Sequence, residues 1–177
     1  MAEHRVVITG LGVVSPIGSS LDEVSCALRS DRSGVRTLQH FGDYAGMRTR
    51  VAAPAVEIDL SGLPKRRTRT MGRVALLSTW ATERAIADAG LDKDYLSSGS
   101  VGLAYGSTGP SSGAVEDYIR KLLVNRSLDG IQSATYPKLM SHTCAANLAV
   151  YFAIRGRILS TCAACVSSSQ AIGYGYE

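Results

Sequence analysis

The sequence predicts an α/β fold, a mostly parallel sheet covered by helices. Three observations lead there. Short β-branched runs end in glycine turns, segments with helical apolar spacing lie between them, and glycine is abundant at 18 residues, as tight strand-to-helix connections require. Apolar residues make up 45% of the chain, enough to bury a core.

The elements follow in order. Arg5-Val-Val-Ile-Thr-Gly-Leu-Gly12 reads as a buried strand entering a glycine turn. Ser20 and Glu23 have the spacing of a capping box, and Asp22 adds negative charge to the same turn, so a helix is expected over 21–29. Segment 31–63 is loop-rich, with short strands expected near Thr49–Ala52. Met71, Val74, Ala75, Leu77, Trp80, Ala81, Ala85 and Ile86 keep helical spacing, and Gly90 ends that helix. A second buried strand is expected over 100–106. Val115, Tyr118, Ile119, Leu122 and Leu123 mark a third helix. A fourth covers about 142–154, before Gly156, and a short strand follows over 157–161. Cys162-Ala-Ala-Cys165, three serines and an apolar run to Ile172 close the pattern.

The net charge of +4 is concentrated, because Lys65, Arg66, Arg67, Arg69 and Arg73 fall within nine residues. The run lacks the interleaved aromatics of a single-strand nucleic-acid platform, so no nucleic-acid partner is expected. An acidic protein partner and a solvated helix start both fit. The opening apolar run is too short for a signal peptide, and no stretch approaches the ~20 apolar residues of a membrane span. The four cysteines lack the density of a secreted disulfide scaffold, so a cytoplasmic setting with reduced thiols is expected.

Four constellations bear on chemistry. Gly10-Leu-Gly12 falls short of a dinucleotide fingerprint, since Ser15 holds the third glycine position and Pro16 follows, so a structural turn is favoured. His142, Cys144, Cys162 and Cys165 form a nominal zinc set. A buried-type helix separates its two halves, and residues two apart on a helix face different directions, so no metal is expected. A thiol-redox role for Cys162 and Cys165 lacks an aromatic before the pair. The remaining reading is a nucleophile. A strand runs through small residues into a cysteine at a helix start, where backbone N–H groups favour thiolate and can stabilise an oxyanion. An inert buried thiol suits Cys26 and Cys144. The residues alone leave Cys162 and Cys165 undecided.

Four segments resemble one family in one register along essentially the whole chain. They are the stretch from Arg5 to Gly18, Ala85-Ile-Ala-Asp-Ala-Gly-Leu91, Val101-Gly-Leu-Ala-Tyr-Gly-Ser-Thr-Gly109, and the stretch from Ile154 to Gly173. All resemble the β-ketoacyl-acyl-carrier-protein synthases of the class I/II branch, which have the thiolase fold. The resemblance implies that residues 1–177 form the N-terminal half of such a fold. In the family the nucleophile lies seven residues before the isoleucine of an Ile-Gly pair. Counted from Ile172, that implies Cys165. It further implies Arg66 and Arg69 as docking residues for acidic acyl-carrier protein, and Thr108, Gly109 and Ala164 as acyl-pocket candidates.

The implied reaction is a decarboxylating Claisen condensation in fatty-acid or polyketide elongation. No cofactor is expected on the protein itself, because phosphopantetheine arrives on the carrier protein. The intact enzyme is expected to be a homodimer. The family's second half supplies two histidines, and His4, His40 and His142 match neither position. The chain is therefore expected to need a C-terminal half for catalysis, and its final helix to expose apolar surface. The alternative is a non-catalytic fragment that only binds a partner.

Overall fold

The computed structural model describes residues 5–177. Helix α1 spans Leu21–Arg29, as the capping box dictates. The Ser20 hydroxyl accepts the Glu23 amide at 3.2 Å, and the Glu23 carboxylate accepts the Ser19 amide at 2.7 Å. The loop-rich segment holds one small antiparallel ladder, β1 (Arg36–Thr37) on β2 (Val51–Ala52). A single basic turn, α2 (Lys65–Thr68), precedes α3 (Arg73–Asp88). Gly72 has no side chain with which to cap α3. The buried Ser111 hydroxyl takes that role from another segment, accepting the Val74 amide at 3.0 Å. Gly90 ends α3 in the left-handed region, with φ 65°.

After the short α4 (Lys93–Ser97) comes β3 (Leu103–Gly106), then α5 (Ser112–Ile119), which continues as a π-helical turn through Val124. Helix α6 spans Thr143–Phe152, β4 Ile158–Thr161 and α7 Ser167–Tyr176. Strands β3 and β4 pair in parallel, from Leu103 opposite Ile158 to Gly106 opposite Thr161. Helices α6 and α7 both pack on this pair, which is the helix-covered parallel architecture expected.

Helix α6 also touches α2, α3 and α4. Its sequence is apolar nearly all round, and Cys144, Ala145, Leu148, Ala149 and Tyr151 are buried. Leu148 is only 2% exposed, and burying such a side chain contributes about 2 kcal/mol. Its polar groups are paired. Asn147 exchanges hydrogen bonds with Thr70, and the Tyr151 hydroxyl donates to Glu83 at 2.8 Å.

One expectation fails. The segment from Arg5 to Gly12 forms no ladder with any described residue, and Ile8 is 82% exposed. A strand needs a neighbouring strand to take its N–H and C=O groups, and no described strand pairs with this segment. The glycines there serve a different contact. A Cβ on Gly12 would lie 1.9 Å from the Ala81 carbonyl oxygen, and one on Gly10 2.4 Å from that of Ala85. Both must be glycine for this segment to lie against α3, a packing role in place of the tight turn expected.

Candidate active site

The connection from β4 to α7 is a sharp turn centred on Ala164. Its φ of 47° lies in the left-handed region, which costs a non-glycine residue about 1–2 kcal/mol. Three hydrogen bonds hold the Ala164 carbonyl. The Thr108 hydroxyl donates to it at 2.8 Å, the Ser167 hydroxyl at 2.7 Å and the Ser167 amide at 3.2 Å. The Ser167 hydroxyl also accepts the Ala163 amide at 2.8 Å, so one buried side chain bridges both alanines. The Thr161 hydroxyl donates to the Ser167 carbonyl at 2.7 Å, tying the end of β4 to the start of α7. Every hydroxyl in this cluster has a partner.

Cys165 follows Ala164 and is exposed. It stands one residue ahead of the α7 N-cap, Val166, rather than inside the first helical turn. Cys162, also exposed, points its thiol at the Thr108 carbonyl at 3.7 Å. Thr108 therefore meets the Cys162–Cys165 turn at two points, Cys162 and Ala164. The close approach of β3 requires Gly106, since a Cβ there would lie 2.3 Å from the Ser167 carbonyl oxygen.

The residues expected to line an acyl pocket separate. Thr108 and Ala164 meet in the turn. Gly109 faces open space, with nothing within 4 Å of a Cβ built on it. A surface groove of about 660 Å³ begins at Pro110 and runs along Val115, Ile119 and Val124, without Thr108, Gly109 or Ala164 on its lining. The nominal zinc set also separates. Cys144 is buried, which pushes its thiol up, whereas His142, Cys162 and Cys165 are exposed. Among the described residues no three His, Cys, Asp or Glu side chains gather as metal ligands.

Arg66 and Arg69 lie exposed on and beside α2, and neither makes an ion pair or side-chain hydrogen bond with a described residue. Arg67 differs. Its guanidinium lies 4.4 Å over the Tyr151 ring and donates to the Tyr151 carbonyl, fastening α2 to α6. The sequence reading missed the bridging role of Ser167 and the clamping role of Thr108. A polar residue two positions after the cysteine was the available sign.

Comparison with known proteins places the fold. The fold is the thiolase-like α/β arrangement of the ketosynthases. A crystal structure of a β-ketoacyl synthase from Burkholderia phymatum superposes with TM-score 0.88 at 39% identity, covering 97% of this chain and 42% of that one. A type II polyketide ketosynthase solved with its acyl-carrier protein shares the fold with TM-score 0.75 at 18% identity, covering 95% of this chain and 44% of that one. In sequence, 3-oxoacyl-[acyl-carrier-protein] synthase 1 of Escherichia coli is 37% identical over 175 residues, which is 98% of this chain and 43% of that protein. The family model "Beta-ketoacyl synthase, N-terminal domain" matches residues 3–176, and the chain belongs to that family. It spans less than half the length of these relatives.

Proposed function

We propose that this chain supplies the nucleophile-bearing half of a β-ketoacyl-acyl-carrier-protein synthase. The observation that carries the reading is the exposed Cys165 thiol behind a left-handed, hydrogen-bonded turn between a parallel strand and a helix. The Cys165 thiolate attacks the thioester carbonyl of an acyl-phosphopantetheine. A C–S bond forms to Cys165, the old C–S bond breaks, and the phosphopantetheine thiol leaves. The backbone N–H of Cys165 is the oxyanion donor assigned here. Malonyl-carrier protein then loses CO₂, its carbanion attacks the Cys165 thioester, and the Cys165 thiolate is released.

We assign decarboxylation to histidines of a C-terminal half, and homodimer formation to the intact enzyme. Arg66 and Arg69 fit docking of an acidic carrier protein, because both cations are exposed without described partners. No described helix is long and apolar enough to cross a membrane, and we place the reaction in the cytoplasm. The alternative, a non-catalytic binding fragment, differs in its thiol chemistry.

Alkylation with a cerulenin-type epoxide followed by peptide mapping tests the assignment. Label on Cys165 is expected, and label on Cys162 instead overturns it. Mixing the chain with a C-terminal half should give condensation. Full activity without that half would refute the division of labour. Replacing both Arg66 and Arg69 by Glu should slow carrier-protein association about tenfold at low salt, with the difference shrinking as salt rises.

A further inference from the structure

We propose that Thr108 and Ser167 are positioning residues that pose Cys165 by gripping the Ala164 carbonyl. The inference rests on Cys165 being the nucleophile. Three facts carry it. Ala164 holds a left-handed conformation that its side chain disfavours, and it is directly bonded to Cys165. Its carbonyl accepts two side-chain hydroxyls, one from the loop after β3 and one from the first residue of α7. The Thr108 carbonyl also receives the Cys162 thiol, so the β3 loop holds the Cys162–Cys165 turn at two points.

A strained residue persists only where its surroundings over-determine it. Here the surroundings are the two hydroxyls together with the Ser167 amide. The Ser167 hydroxyl is buried and bridges two successive alanines, so it sets the turn from the helix side. The Thr108 hydroxyl is exposed and comes from another strand, so it fixes where the turn sits relative to β3. When the Thr108 hydroxyl is lost, Ala164 regains access to its ordinary conformations, and each of these swings the next residue, Cys165, to a new direction.

The test uses the chain itself, which carries its own controls. Iodoacetamide labelling is followed site by site with mass spectrometry. Cys165 reports the pose, exposed Cys26 reports general reactivity, and buried Cys144 reports loss of the fold. Thr108→Val, nearly isosteric, should slow Cys165 labelling about fivefold, the equivalent of one hydrogen bond. Cys26 should be unchanged and Cys144 protected. Thr108→Ser should restore the wild-type Cys165 rate, a rescue that a mere packing role does not predict. If Thr108→Val leaves Cys144 reactive, Thr108→Ala removes the same hydroxyl without the β-branch and is read in its place.

Wild-type Cys165 labelling in a variant that keeps Cys144 protected overturns the positioning role while leaving the nucleophile reading standing. Wild-type protein in which Cys162 labels faster than Cys165 removes the nucleophile reading, and the inference with it.

Discussion

Two alanines in this chain share one unfavourable backbone conformation and differ in what holds them there. Ala153 ends α6 with φ 57°, and Ala164 precedes Cys165 with φ 47°. At Ala153 the support is local, because its own amide and that of Ile154 both donate to the Ala149 carbonyl one turn back. At Ala164 part of the support is local, from the Ser167 hydroxyl and amide three residues on, and part comes from another element, through the Thr108 hydroxyl. The first turn is an ordinary helix end, where glycine would serve better. The second is held by side chains that also bond its neighbours, Ser167 to the Ala163 amide and Thr108, through its carbonyl, to the Cys162 thiol. The left-handed turn at Ala153 only terminates a helix, whereas the one at Ala164 is held in part by a hydroxyl 56 positions away and sits beside a thiol, which is why we read it as a pose.

The strongest break is on the Cys165 side. Gly106→Ala forces a methyl against the Ser167 carbonyl, where the contacting atoms are backbone and cannot swing away. It should cost about 3 kcal/mol, at the upper end for overpacking, read as a lower urea midpoint.

Alkaline pH strikes both regions. Tyr151, two residues before Ala153, and Tyr105, one residue before Gly106, each have a phenol pushed up to about 12 by burial. At Tyr151 the Glu83 carboxylate pushes the same way. The folded state holds these protons more tightly than the unfolded chain. Their stabilisation is therefore complete below about pH 10 and is lost as pH rises toward 12. Urea midpoints measured across this window should fall, and Tyr151→Phe should flatten its share of the slope.

The smallest effect separates the two alanines. Ala153→Gly should raise stability by about 0.5 kcal/mol, since relief of the left-handed strain outweighs the added unfolded-state entropy. Cys165 labelling should not change. A change in that labelling would mean that the end of α6 also poses the thiol.

The fold was legible wherever the signal was local. The Ser20–Glu23 box, the Gly90 stop and the apolar spacing of α3 each placed an element within two residues of where it stands. The opening strand was misread because β-branched composition reports suitability for a sheet, while a ladder needs a partner that composition does not supply. At the candidate site, Cys165 emerged through family register, since Cys162 shares its exposure and its neighbouring alanines. Thr108 entered only as a pocket candidate through the same resemblance, without its role in the turn. Its contact with Ala164 spans 56 positions, beyond the reach of any spacing rule.

What the sequence determined by itself was therefore the local and periodic part: helices, caps, glycine stops, the basic run, and a cysteine between a strand and a helix. These depend on residues a few positions apart, whose interactions are fixed as soon as the backbone forms. Tertiary structure alone decided which hydroxyls grip the Ala164 carbonyl, which glycines admit a neighbouring backbone, and that Arg67 leaves the basic face to hold α6. Those choices depend on atoms brought together only when α2 and α3 have packed beside their neighbours and β3, β4 and α7 have packed together.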